Sequence, residues 1–201
     1  MHTYRTLREI AEGLYKEKGS KFIAFAVPCS SEEEAKGYLN AWRKEHHQAC
    51  HVCYAYRFGA EKKIFRASDD GEPTNSAGAP ILGQIQSADL TNVLIGVVRY
   101  YGGTKLGVGG LIHAYRTAAR EAIDNGEIIE KELQEHVVLH FSYSEMPDVM
   151  KLIKAWNLEV MHPDFQLECT LELEVPLRQL TVFKEEIGNI EGVKLDSKGI
   201  Y

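Results

Sequence analysis

The sequence predicts an α+β protein built as two domains, and three observations carry that reading. Residues 92–124, NVLIGVVRYYGGTKLGVGGLIHAYRTAAREAID, read as strand, glycine-rich turn and helix in immediate succession. Residues 136–196 contain a complete strand-helix-strand-strand-helix-strand series, a ferredoxin-like plan. Charge also divides along the chain: residues 1–130 carry 16 Lys/Arg and 16 Asp/Glu, residues 131–201 carry 7 and 13, so the net charge of −6 arises entirely in the second part. At 201 residues and 44% hydrophobic content the chain can bury two small cores. The boundary is expected near residues 130–135, giving domains 1–132 and 133–201.

Taken in order, residues 20–29 (SKFIAFAVPC) alternate and stop at Pro28, as a strand does. Ser30 or Ser31 then caps a helix running to about Lys44, with Glu32, Glu33 and Glu34 in the first turn, where the helix dipole favours acids. Residues 50–59 form a second strand with Val52, Tyr54, Tyr56 and Phe58 on one face and His51, Cys53, Ala55 and Arg57 on the other. Residues 63–67 form a third strand, and Ser76 is placed to start another helix. Residues 93–101, rich in β-branched and aromatic side chains, form a buried strand. In the second domain, residues 136–143 are a strand and 146–156 an amphipathic helix with Val149, Met150, Ile153 and Trp156 inward. A short strand at 159–161 follows. Residues 165–175 alternate strictly, so Phe165, Leu167, Cys169, Leu171, Leu173 and Val175 share a buried face; a helix at 177–187 and a strand at 193–196 close the series.

The glycine-rich turn carries the strongest chemical signal. Gly102, Gly103, Gly107, Gly109 and Gly110 imply backbone that side chains would obstruct, through positive φ or close approach. In the helix, Val108, Leu111, Tyr115, Ala118, Ala119 and Ala122 form one apolar stripe, while His113, Arg116, Arg120 and Asp124 share another face. No acidic residue lies between Asp89 and Glu121, yet Arg99, Lys105, Arg116 and Arg120 do. A helix N-terminus already favours anions, and these cations reinforce it. The sequence GGTKLGVGG is neither a phosphate loop, which needs Gly-Lys-Ser/Thr, nor a dinucleotide fingerprint, whose third glycine would fall at Ile112. Two readings stand: an anion or phosphate-backbone site, or glycines that let strand and helix pack closely beside solvated cations.

Two further clusters could carry chemistry. His46, His47, Cys50, His51 and Cys53 have a metal-like composition, but residues three apart on a strand point to opposite faces, so Cys50 and Cys53 cannot chelate together; His51 is expected to be a packed or hydrogen-bonded sheet residue. Asp69, Asp70 and Glu72, in the loop DDGEP, could hold a divalent cation, supply acid/base chemistry, pair with Arg99 and Lys105 or cap the helix that starts at Ser76. Pairing is favoured, with Asp69 or Asp70 meeting Arg99 or Lys105. Neither metal nor cofactor is expected.

DDGEP, AGAPIL (residues 77–82) and VVRYYGGTKLGVGGLIHAY (residues 97–115) together resemble the signature of the YigZ/IMPACT family, and His51 and Tyr54-Ala55-Tyr56 fit it too. Three separated motifs in order make the resemblance specific, and it covers about residues 5–130. It implies an N-terminal α/β domain similar to the second domain of a small-subunit ribosomal protein and to elongation factor G domain IV, with a C-terminal domain resembling elongation factor G domain V. Those relatives work around ribosomal RNA. Eukaryotic members are implied to be translational regulators, but they carry a different extra domain, so their protein partner is not transferred. No Ser/His/Asp or metal-ligand set supports a peptidase.

The leading expectation is a non-enzymatic, translation-associated regulator that binds RNA or the ribosome through Arg99, Lys105, Arg116, Arg120 and the Gly102 to Gly110 backbone, with Tyr101 beside them. A protein-binding adaptor in stress or translation regulation is the alternative, for which an exposed aromatic patch at Tyr100 or Tyr101 would speak. An enzyme on a small phosphorylated substrate would need the acidic and glycine loops to converge on one pocket. The N-terminus lacks a basic segment followed by an apolar run, no stretch approaches the ~18 apolar residues of a membrane span, and four cysteines make no disulfide framework. A soluble cytoplasmic protein without a membrane partner is expected; oligomeric state is not legible.

Overall fold

The computed structural model describes residues 2–200. The chain divides into two compact units, residues 4–131 and residues 132–200 with residues 2–3. The first contains β1 (Thr3–Leu7), β2 (Ala11–Glu17), β3 (Ser20–Pro28), α1 (Glu32–Glu45), β4 (His51–Phe58), β5 (Ile64–Ser68), α2 (Gly78–Ser87), β6 (Val93–Tyr100), α3 (Gly107–Asn125) and β7 (Ile128–Glu132). Five strands make an antiparallel sheet in the order β2-β3-β6-β4-β5, and β1 pairs with β7.

Helices cover both faces of the five-stranded sheet, which explains why β6 shows no polar alternation. Val93, Ile95 and Val97 enter the core shared with α2 and α3, while Leu94 and Val98 join Leu39 and Trp42 of α1 on the opposite side. The same split in β4 sends Cys53 and Ala55 one way and Val52, Tyr56 and Phe58 the other. Gly96 must be glycine, because a Cβ there would come within 2.3 Å of the Trp42 ring. Ser31, whose Oγ accepts from the Glu34 N–H at 3.2 Å, is the cap of α1. Strands β1, β2 and β7 were not legible in the sequence. Each is short and carries charged residues, and β2 lies at the sheet edge, where such residues are tolerated.

The second unit contains β8 (Gln134–Ser142), α4 (Met146–Ala155), β9 (Val160–Phe165), β10 (Glu168–Pro176), α5 (Leu177–Gly188) and β11 (Lys194–Ile200). Its antiparallel sheet has the order β11-β8-β10-β9, the fourth, first, third and second strands of a ferredoxin-like plan. Val149, Ile153, Phe183 and Ile187 from the helices meet Val137, Leu139, Leu171 and Leu173 in one core. Alternation overreached at one end: Phe165 and Leu167 are 46% and 91% exposed, because the chain turns between β9 and β10 there. Met150 is likewise partly exposed. Among the described residues no helix is long and apolar enough to cross a membrane.

Candidate functional site

The acidic loop follows β5 and doubles back on β4. Asp70 and Gly71 both take left-handed backbone, with φ of +44° and +88°, and this turn sends three carboxylates to three destinations. Asp69 accepts from the N–H groups of Asn75, Ala77 and Gly78 at 2.8, 3.0 and 2.8 Å. It therefore caps α2, one of the alternatives open to this loop, while Ser76 Oγ donates to the Pro73 carbonyl at 2.6 Å. Asp70 accepts from the Val52 N–H at 2.7 Å and from Arg43 Nη2 at 3.0 Å. Glu72 Oε1 accepts from Arg99 Nη1 at 2.5 Å and from the Tyr115 hydroxyl at 2.7 Å. The expected pairing is corrected accordingly: Glu72 takes Arg99, because the α2 N-terminus occupies Asp69, and β4 with Arg43 of α1 occupies Asp70.

Glu72 and Arg99 form a buried pair, their side chains 4% and 8% exposed. Such charges persist inside a protein only when paired and hydrogen-bonded. The Arg99 guanidinium lies over the rings of Phe22 and Tyr101, 5.5 and 5.6 Å from their centroids, and its Nε is buried with no hydrogen-bond partner. Burial pushes the Tyr115 hydroxyl and the Cys53 thiol well up from their ordinary pKa values, so both stay protonated as donors. Cys53 Sγ donates to the Asp69 carbonyl at 3.0 Å, whereas Cys50 is exposed. Among the described residues no group of three His, Cys, Asp or Glu is arranged to hold a metal.

The glycine loop divides by cause. At Gly102 a Cβ would lie 2.0 Å from the Gly19 carbonyl carbon, so the loop and the β2–β3 turn touch through backbone, and the Gly102 N–H donates to Ser20 Oγ at 3.1 Å. Gly103 and Gly107 have φ of +88° and +74°. Gly110 lies against Leu106, and Gly109 has open space where a side chain would be. Helix α3 starts at Gly107 with no side-chain cap and no acid in its first turn. Its leading N–H groups therefore keep their donor capacity.

The two loops converge on one pocket of about 560 Å³. His51, Glu72, Arg99, Tyr101, Lys105 and Gly107 all line it. His51 Nδ1 lies 2.7 Å from the Asp70 carbonyl oxygen, which can only accept, so Nδ1 carries the hydrogen. Its Nε2 sits 3.9 Å from Glu72 Oε2. Val108, assigned above to the buried stripe of α3, is 52% exposed and lines the pocket instead. Lys105, Arg116 and Arg120 are exposed, while Arg99 is internal and neutralised by Glu72; only Arg99 and Lys105 of the four line the pocket. Arg120 lies 3.5 Å from Asp124, one turn along the helix. Tyr54 stacks on Tyr56 toward the α1 face and does not line the pocket. Sequence reasoning missed Tyr115 as a polar member of the site, and Cys50 and Leu106 in its wall.

Together, fold and pocket define a two-unit α+β protein whose first unit carries a ligand-sized site between an acidic loop and a glycine-opened helix. Residues 18–123 match the Impact N-terminal domain, and the chain belongs to the IMPACT family. It is 29% identical over 198 residues to the IMPACT family member YvyE of Bacillus subtilis, covering 98% of this chain and 91% of that one. It is 43% identical over 140 residues to an IMPACT family member in the pol 5′ region of Thermus thermophilus, covering 70% and 75%. A crystal structure of a hypothetical protein has the same fold, with TM-score 0.80 and 27% identity over 97% of each chain.

Proposed function

We propose that the first unit binds phosphate groups of RNA in a cytoplasmic, translation-associated role, as a regulator that makes and breaks no bonds. The observation that carries this reading is the acid-free span of residues 90–120. It supplies an uncapped helix N-terminus, an exposed Lys105 beside it, and an exposed line along α3 through His113, Arg116 and Arg120. The translational setting rests on the family resemblance. Three exposed cations imply a slope of log affinity against log salt of about −2 to −3. Replacing Arg116 and Arg120 together with Ala should weaken binding to all RNA sequences alike and flatten that slope by about 1.5 to 2. No RNA or ribosome association at about 50 mM salt, or undiminished binding by the double variant, would overturn the reading in favour of a protein-binding adaptor.

A second reading, an enzyme on a small phosphorylated substrate, draws on the convergence of the acidic and glycine loops on one pocket. A His51→Gln variant that keeps RNA binding but loses turnover of such a substrate would favour it.

A further inference from the structure

We infer that the pocket between the acidic loop and α3 is a ribonucleotide site: it takes a 5′-linked phosphate on the first N–H groups of α3 and Lys105, free ribose hydroxyls on Glu72 and His51, and a base against Tyr101. This deepens the phosphate-binding reading and rests on it.

The polarity of the lining points to such a ligand. In the pocket wall, His51 Nε2 and Glu72 Oε2 stand 3.9 Å apart. His51 Nδ1 is tied to the Asp70 carbonyl, which leaves Nε2 as the ring atom a ligand can meet. The Glu72 carboxylate, paired with Arg99, can only accept, so it calls for a hydroxyl donor, and a vicinal diol offers one to it and a second group to His51. A carboxylate accepting from a ribose hydroxyl is the arrangement that dinucleotide-binding folds use. The polarity reverses at the start of α3, whose first turn has no capping side chain and no acid, with Lys105 exposed beside it. Beside Glu72, Arg99 is 94% buried in the pocket wall and keeps an Nε donor that nothing in the protein meets. A buried donor left unmet in a pocket wall calls for an explanation, and an acceptor supplied by a ligand is one. Tyr101, in the same lining, is 48% exposed with the Arg99 guanidinium against its ring, a platform on which a base can stack. A volume of about 560 Å³ suits one nucleotide.

The diol sharpens the identity further. Inside an RNA strand the 3′-oxygen is esterified, so a 3′-terminal nucleotide or a free nucleoside 5′-phosphate offers both hydroxyls. The chemistry is shared and the source is separable by experiment.

Calorimetric titration of the full chain with AMP, GMP, CMP, UMP, 2′-deoxy-AMP and inorganic phosphate tests the site, followed by short RNAs ending in a 3′-hydroxyl or a 3′-phosphate. Ribonucleotides should bind about tenfold tighter than the deoxynucleotide, and Lys105→Ala and Tyr101→Ala, both at exposed positions, should each weaken binding by about tenfold. A 3′-hydroxyl RNA that displaces AMP, where the 3′-phosphate RNA does not, assigns the site to RNA ends; displacement by neither assigns it to free nucleotide. No nucleotide binding at about 5 mM, equal affinity for ribo and deoxy forms, or unchanged binding by both variants would overturn the inference. Should these fail while salt-dependent RNA binding through Arg116 and Arg120 persists, the pocket assignment falls and the RNA reading stands.

Discussion

In residues 4–131 the main sheet is covered on both faces, so a charge placed within it must find its partner inside the protein; in residues 132–200 the sheet is covered on one face by α4 and α5 and carries its charges on the other. Arg99 of β6 shows the first situation, 8% exposed and held by Glu72, which also accepts from the Tyr115 hydroxyl. Glu172 of β10 shows the second, 20% exposed against 4% for Glu72, and 2.7 Å from His136 Nε2 and 2.9 Å from Lys198 Nζ on the face away from α4 and α5. Desolvation separates the two. A buried pair is costly to assemble and costly to break, whereas an exposed one contributes little. The buried pair stands in the wall of the candidate pocket.

The largest expected effect is on the buried pair. Glu72→Gln keeps an acceptor for Tyr115 but leaves the Arg99 guanidinium without its counter-charge, and should destabilise the first unit by about 3–5 kcal/mol in urea unfolding. A loss below about 1 kcal/mol would show that Arg99 reaches water and that the contrast between the units is false. Next comes Asp69→Ala. It strips three N–H groups at the start of α2 of their acceptor and should cost about 1–2 kcal/mol. A matching loss from Ser76→Ala instead would return the cap to the serine. The smallest effect belongs to Glu172→Gln, which should leave the unfolding midpoint of the second unit nearly unmoved.

Glu172 should nevertheless announce itself in acid. The hydrogen bond from Lys198, helped less by His136 and opposed by burial, holds its carboxyl below the ordinary glutamate range. A depressed folded value means its stabilisation is fully present above the unfolded titration near pH ~4 and is lost as the pH falls through the lower folded value. In an NMR acid titration, Lys198→Ala should move the Glu172 midpoint upward; an unmoved midpoint would remove the ion pair from the account.

Much of the architecture could be read from pattern because burial imposes period. The switch from the apolar run of β6 to glycines and then to a 3.6-residue stripe locates strand, loop and helix without further help. The site was less legible. Tyr115 shares its period with Leu111 and Ala118, and periodicity places a side chain on a face without saying where its hydroxyl ends. Which of three carboxylates meets Arg99 depends on the left-handed turn at Asp70 and Gly71, a property of three-dimensional closure rather than of spacing. Arg99 reads as a surface cation for the same reason: charge is visible in sequence, but a partner 27 positions away is not. At Phe165 and Leu167 the opposite error occurred, since alternation runs straight through a hairpin that period alone does not mark.

The most direct test of the claim that acidic and glycine loops form one ligand site in the first unit is NMR titration of the labelled full chain with short 3′-hydroxyl RNA. The account predicts that amides of residues 69–72 and 101–111 shift together, with His51 and with a common affinity, while those of the β8–β10 sheet stay in place. Shifts confined to the second unit, or shifts in the glycine loop that leave the acidic loop and His51 untouched, would contradict it.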